Sequence, residues 1–228
     1  MKDLITIGLP SKGRLKDEAI LFFKDQGLKI LQSEKERNYF AIIENKPSVK
    51  IIYLHAKEII QRLGDGTLDL GISGLDLLNE SEKNLRNKII IKNKLNFGKA
   101  NLVVAIPDPW IDVQTIADLE EIAFEFRDKK KKRLRVATKY PNLTRDFLFS
   151  KGVTQFKLID SLGATEAYPF TGSAELITDI TSTGETLRAN NLRILKDGEI
   201  LKSQACIFTS KKNSKKKGLK NFVKLLSK

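Results

Sequence analysis

Short apolar runs alternate with amphipathic stretches of helical period along nearly the whole chain, which predicts an α/β protein. Leu4 to Leu9 reads as a short buried strand, ending in the turn-forming Pro10-Ser11-Lys12-Gly13-Arg14. Leu15 to Gln26 carries Ala19, Ile20, Phe22 and Phe23 at helical spacing, and Gly27 stops it. Phe40 to Glu44 and Val49 to Leu54 read as strands around a turn at Asn45-Lys46-Pro47. Lys57 to Leu63 is predicted helical and closes at Gly64-Asp65-Gly66. Leu68 to Ser73 is then a strand leading into a short helix over Leu75 to Asn79.

The pattern changes around residues 96–101, and a second α/β series begins. Asn101 to Pro107 is a strand ended by Pro107-Asp108-Pro109. Thr115 to Lys129 predicts a helix, Leu134 to Thr138 a strand, Leu143 to Lys151 a helix and Phe156 to Ile159 a strand. Ala174 to Thr178 is expected to pass from helix into a strand at Asp179-Ile180-Thr181. Ile200 to Thr209 is expected as a single strand, and Leu219 to Leu226 as an amphipathic helix. Strands alternating with helices imply parallel sheets. Two α/β lobes with a cleft between them are therefore expected, because ligands settle at strand C-terminal ends and domain junctions.

Composition narrows the functional classes. The 228 residues suffice for one large or two small domains, and 41% hydrophobic with 30% charged residues is globular usage. No apolar run approaches the roughly 18–20 residues of a membrane span. The start, Met1-Lys2-Asp3 before Leu4-Ile5-Thr6-Ile7, is too short in apolar residues for a signal peptide. A lone Cys206 makes no internal disulfide, so a reducing cytoplasm is expected. With His55 the only histidine, a structural zinc site of about four ligands is excluded. His55 reads as structural and Cys206 as a small buried hydrophobe.

Charge points less clearly. The net charge is +13, with 31 Lys and 10 Arg among the basic residues. Lys129 to Arg133 and Lys211 to Lys217 form basic clusters without aromatic residues between the charges. Nucleic-acid readers pair such charge with bidentate Arg or stacking aromatics, so a solvated loop and a solvated C-terminal helix are the expected settings.

The chemistry concentrates in loops. In Asp179-Ile180-Thr181-Ser182-Thr183-Gly184-Glu185-Thr186-Leu187-Arg188 an apolar strand opens into hydroxyl residues around a glycine, with a helix starting near Thr186. Outward backbone N–H groups, a helix start and Ser/Thr hydroxyls make a phosphate cradle in type, without the Gly-Lys-Ser/Thr of a nucleotide P-loop. Ordinary helix capping uses the same residue types. Lys12 and Arg14 flank Gly13 where a second anion could be gripped. In Asp69-Leu70-Gly71-Ile72-Ser73-Gly74, small residues allow close approach beside a carboxylate. Two anion-gripping loops with an acidic residue suggest a polyphosphorylated substrate and a magnesium ion.

Four segments in this order and spacing resemble the ATP phosphoribosyltransferase family: Pro10 to Leu15, Asp69 to Gly74, Arg135-Val136-Ala137-Thr138-Lys139-Tyr140, and Asp179 to Leu187. The resemblance spans residues 4 to 209 and is to the short form, which lacks a C-terminal regulatory domain. It implies a two-lobed fold of the type II periplasmic-binding-protein kind, with residues 1–98 and 190–228 forming lobe I and 99–189 lobe II. The implied reaction joins ATP N1 to C1 of phosphoribosyl pyrophosphate and releases pyrophosphate, with Mg2+ accompanying it, as the first step of histidine biosynthesis. The implied assembly is a homodimer with a regulatory subunit resembling histidyl-tRNA synthetase.

By matching position, Ser182, Thr183, Gly184, Glu185 and Thr186 should hold the sugar 5-phosphate. Asp179 should lie at the ribose hydroxyls and stabilise charge developing on the ring. Lys12 and Arg14 should meet the pyrophosphate or ATP phosphates. Asp69, Gly71 and Ser73 should line the substrate site, as should Thr138, Lys139 and, in the turn Gly163-Ala164-Thr165-Glu166, Glu166. The chain departs from the family pattern in two places. Tyr53 to Glu58 lacks a common arginine, so that cation either comes from Lys57 or is absent, with Arg37 a candidate for another, and Ser11 is inserted in the opening loop. Two rival readings remain at this level: a solute-binding module on the same fold, and an RNA-binding protein using the lysine clusters.

Overall fold

The computed structural model describes residues 4–32 and 39–226, so Arg37 lies outside the described residues. The chain divides into two compact units, Met1–Lys99 with Gln204–Lys228, and Ala100–Ser203, each carrying its own sheet.

The first unit runs through β1 (Ile5–Pro10), α1 (Arg14–Asp25), β2 (Ile30–Gln32), β3 (Phe40–Ile43) and β4 (Lys46–Leu54). It continues with α2 (Ala56–Asp65), β5 (Leu70–Gly74), α3 (Leu75–Glu80), α4 (Lys83–Arg86) and β6 (Ile89–Lys94). The second unit comprises β7 (Ala100–Pro107), α5 (Ile116–Lys130), β8 (Leu134–Thr138), α6 (Pro141–Ser150) and β9 (Phe156–Asp160). After a 3-10 turn at Thr165–Ala167 come β10 (Leu176–Thr181), α7 (Glu185–Ala189) and β11 (Leu192–Ser203). The chain returns to the first unit as β12 (Ala205–Ser210) and α8 (Leu219–Leu225).

Both sheets are mixed, where the alternation of elements predicted parallel ones. In the order β2-β3-β4-β1-β5-β12-β6, only β4, β1 and β5 run parallel. Glu44-Asn45 joins β3 to β4, and a two-residue turn can only make an antiparallel pair. The returning β12 inserts antiparallel between β5 and β6. In the second sheet, β11-β7-β10-β8-β9, the parallel part is β10, β8 and β9.

Period-two alternation sorts side chains to two helical layers. Along β12, Ala205 and Ile207 join the core that includes α1 and α8, while Cys206 and Phe208 join the core that includes α2. Along β7, Val104 and Ile106 pack with α5, whereas Val103 and Ala105 pack with α7. Among the described residues, no helix is long and apolar enough to cross a membrane.

Three boundaries differ from the sequence expectation. Ala174 to Thr181 contains no helix: β10 starts at Leu176 and pairs with β7 and β8, so ladder hydrogen bonding overrides local preference. Ile200 to Thr209 is two strands in different sheets, broken at Gln204, whose side-chain amide donates to the Leu95 carbonyl at 2.8 Å. The break leaves no mark in the sequence, because residues on both sides of Gln204 are extended. Residues 190–203, expected in lobe I, belong to the second unit because β11 pairs with β7 from Leu192–Pro107 to Ser203–Ala100. The return therefore comes after Ser203.

Candidate functional site

In the second unit the C-terminal ends of three parallel strands, β8, β9 and β10, present most of the predicted residues. Register places Thr138 beside Thr178 on one neighbour and Asp160 on the other. Asp179 follows Thr178 and turns to the opposite face of the sheet. Its carboxylate is buried, and Oδ1 accepts the Ile180 N–H at 2.8 Å. Burial pushes its pKa up; the Ile180 bond and nearby Lys139 oppose this, Glu166 adds to it, and a Thr165 hydroxyl bond lowers it. Lys139, Thr165, Glu166 and Asp179 are thus one electrostatic group, with Lys139 exposed and Glu166 half-buried.

The hydroxyl-rich loop follows directly. Thr181 Oγ1 accepts the Gly184 N–H at 2.9 Å, and Arg188 donates to the Thr183 carbonyl at 3.0 Å. Gly184 has φ 75°, left-handed backbone that favours glycine, and an added Cβ would meet an Arg188 guanidinium nitrogen at 2.9 Å. Ser182, Thr183, Glu185 and Thr186 remain exposed at the start of α7. The loop thus presents exposed hydroxyls at a helix start, while the Glu185 N–H, like that of Gly184, already donates within it, to Thr183 Oγ1 at 3.4 Å. Thr181 and Arg188, which brace it from both sides, went unremarked because their roles appear only once the loop is folded.

Thr138 is placed differently from the expectation of a substrate contact. It is 1% exposed, and its Oγ1 belongs to a closed ring with Thr144 at 3.1 Å and Thr178 at 2.6 Å; Thr144 and Thr178 are 2.6 Å apart. The same Oγ1 accepts the Tyr140 N–H at 2.8 Å. All three hydroxyls are consumed under the strand ends, tying β8, β10 and α6 together one residue before Lys139 and Asp179.

The first unit brings together only part of its predicted set. Lys12 and Arg14 lie exposed at the C-terminal end of β1, where Gly13 has φ 73° and Ser11 donates to the Leu54 carbonyl at 2.8 Å. Arg14 also pairs with Glu18 at 3.6 Å. His55 caps α2 by accepting the Lys57 N–H at 3.3 Å, and Lys57 is exposed in that first turn.

Asp69 sits at the other end of the sheet, level with the start of β1. Its Oδ2 accepts the Thr6 N–H and the Lys216 ammonium, both at 2.7 Å, and the residue is 2% exposed. Gly71 is buried against α2, where a Cβ would come 2.5 Å from Ile59 Cγ2. The buried Ser73 hydroxyl donates to the Ala56 carbonyl at 2.9 Å. Each of the three has a packing or pairing duty within this unit. The motif is legible in sequence, but nothing in its spacing tells a buried strand from a ligand-lining one.

Lys216 accounts for one member of the C-terminal lysine cluster, which precedes α8 as turns and does not lie on the helix. Among the described residues, no three His, Cys, Asp or Glu converge as metal ligands. Cys206 is fully buried and its thiol is pushed up to about 11 by desolvation, as suits an inert core residue.

The comparisons with known proteins agree on one family. The HisG family model, ATP phosphoribosyltransferase, matches residues 55–228. An ATP phosphoribosyltransferase of Brucella melitensis is 45% identical over 210 residues, covering 92% of this chain and 91% of that relative. In structure, the chain is similar to the ATP phosphoribosyl transferase (HisG:HisZ) complex from Thermotoga maritima, with TM-score 0.74, 25% identity, and coverage of 98% and 97%. The ligand-binding core of GluR0 shares the fold at 11% identity and TM-score 0.58, covering 98% and 90%, as expected for a periplasmic-binding-protein-like architecture. On the family match and on identity sustained over nine-tenths of both sequences, this chain belongs to the ATP phosphoribosyltransferase family.

Proposed function

We infer that this chain is an ATP phosphoribosyltransferase: it condenses N1 of ATP with C1 of phosphoribosyl pyrophosphate, giving phosphoribosyl-ATP and pyrophosphate at the entry to histidine biosynthesis. The single observation that carries this reading is 45% identity over 92% of the chain to an enzyme of that name. The second unit supports it chemically, because a buried carboxylate and an exposed hydroxyl loop share one strand end.

Ser182, Thr183, Gly184, Glu185 and Thr186 bind the 5-phosphate, through hydroxyls and the N–H groups that start α7. Asp179 lies at the ribose hydroxyls. As the C1–O bond to pyrophosphate lengthens and positive charge grows on the ring, its carboxylate stabilises that charge, more strongly for being out of water. Lys139 and Glu166 set the potential around Asp179. Lys12 and Arg14 bind ATP or pyrophosphate oxygens and offset the charge of the leaving group. Thr138 positions Lys139 and Asp179 from beneath.

The family works with a divalent metal, and Mg2+ is the ion we assign. The residues fit an ion that arrives on the substrate: the described chain has no three-ligand cage, and Mg2+ commonly takes one or two carboxylates plus substrate phosphates. Asp179 and Glu166 would hold it from the chain's side, and the ion would supply charge neutralisation of the pyrophosphate. The reading includes a homodimer, a cytoplasmic location and a regulatory subunit of the kind named in the T. maritima HisG:HisZ complex.

A coupled assay for phosphoribosyl-ATP, with both substrates and Mg2+, tests the activity with and without such a subunit. Product formed only when both substrates are present is expected. Failure in both arms, with tight calorimetric binding of an amino acid and none of phosphoribosyl pyrophosphate, would return the chain to solute binding.

A further inference from the structure

The basic cluster at the end of α5 serves nothing described above, and the fold splits it. Lys129 pairs with Glu125 at 2.9 Å and Lys131 with Asp128 at 3.9 Å, so these two have carboxylate partners close by in sequence. Lys130, Lys132 and Arg133 instead line a concave cavity of about 830 Å3, with Arg127, Arg135, Lys157, Phe126 and Glu175.

Four segments supply the charge: α5, the turn into β8, the start of β8 and the start of β9. Cations at a helix C-terminus are ordinary complements to its dipole, which covers Lys130 but not Arg133 or Lys157. The cavity opens at the N-terminal ends of β8 and β9, at the other end of these strands from Thr138 and Asp160. Glu175, the one carboxylate in the lining, is taken by Arg135 through a bidentate contact at 2.6–3.2 Å and also accepts the Arg135 N–H. Lys130 lies over the Phe126 ring at 3.6 Å. Arg127, Lys132, Arg133 and Lys157 face the cavity with no ion pair to any described carboxylate.

We propose that this cavity is a second anion site of the chain, built for a small ligand carrying several phosphates and separate from the loops that handle the reaction. Converging unpaired cations in one depression are stabilised by a multiply charged ligand that removes their mutual repulsion. The volume falls in the range of small-molecule sites. An extended nucleic-acid strand would need open aromatic faces along a groove, and the one ring here is already covered by Lys130. Guanidinium groups from Arg127 and Arg133 suit phosphate oxygens bidentately, with Lys132 and Lys157 as point charges.

The test is calorimetric titration of the full chain with inorganic tripolyphosphate at about 0.15 M salt, where diffuse attraction is screened beyond roughly 8 Å. Two charge-matched variants separate a site from general basicity. Lys132→Ala with Arg133→Ala should abolish one binding phase or weaken it by about tenfold per cation removed. Lys129→Ala with Lys131→Ala removes the same charge from outside the cavity and should leave that phase within about twofold. Lys157→Ala, from a different element, should weaken it by about tenfold. All these side chains are exposed, and circular dichroism with unchanged basal turnover verifies the fold. Equal losses in both double variants, or no phase sensitive to Lys132, Arg133 and Lys157, would overturn the site. Binding of an RNA oligomer that these residues control, with no tripolyphosphate phase, would overturn it in favour of a macromolecular partner.

Discussion

At Asp179 one side chain meets two opposed demands. The role proposed for it wants a carboxylate out of water, where its charge would act strongly on the ring, while burial penalises that same charge. Because the folded pKa is raised, the folded chain keeps this proton to a higher pH than the unfolded chain does. Stability from this group is therefore full below the ordinary carboxylate range and is lost as pH rises through that range to the folded pKa. Asp179→Asn keeps an oxygen for the Ile180 N–H and removes the buried charge. Its urea midpoint should exceed the parent's near pH 7, and the difference should vanish below about pH 3. Turnover should fall by about a hundredfold or more. A lower midpoint than the parent at neutral pH would mean that the partners of Asp179 outweigh its desolvation.

Between elements, two polar assemblies hold the ends of the sheets. The ring of Thr138, Thr144 and Thr178 binds α6 to β8 and β10 directly below Lys139 and Asp179. Thr144→Val keeps the shape but leaves its neighbours short of a partner, at a cost of about 1–3 kcal/mol in denaturant unfolding. Thr144→Ser, which keeps the hydroxyl, should recover most of that loss, and equal destabilisation by both variants would point to the methyl group. In the first unit the segment after β12 is strapped to the α2–β5 turn. Lys216 pairs with Asp69, and Asn213 donates to the Gly66 carbonyl at 2.8 Å. Lys216→Ala should cost about 2 kcal/mol. That is less than the roughly 3–5 of a fully buried pair, because the Lys216 side chain is 27% exposed and Asp69 retains the Thr6 N–H. Turnover should stay near that of the parent, because Asp69 lies away from the C-terminal strand ends. A loss of turnover without a loss of stability would restore Asp69 to the substrate site.

Over the whole molecule, the alternation of apolar runs and amphipathic stretches determined the α/β class and nearly all the helices, because local periodicity is itself the physical cause of which face is buried. It also exposed the motifs: Gly184 amid hydroxyls at a helix start, and Lys12 with Arg14 around Gly13, are local devices whose geometry needs only a few neighbouring residues. Strand direction and sheet membership were not legible. Ile200 to Thr209 reads as one strand in sequence, yet its two halves belong to different sheets, since extended backbone looks alike in either. For the same reason Asp69, Gly71 and Ser73 read as a ligand-lining motif until Lys216, Ile59 and Ala56, all distant or on a neighbouring helix, were brought against them. Lys129 and Lys131 pair with carboxylates three or four residues away, but the cavity that gathers Lys132 and Arg133 depends on where β9 brings Lys157. The sequence by itself determined composition, local shape and the chemistry on offer. Only the tertiary structure decided which polar groups spend their bonding capacity on each other and which keep it for a ligand, because hydrogen bonds and ion pairs between distant residues depend on register and direction that no local pattern encodes.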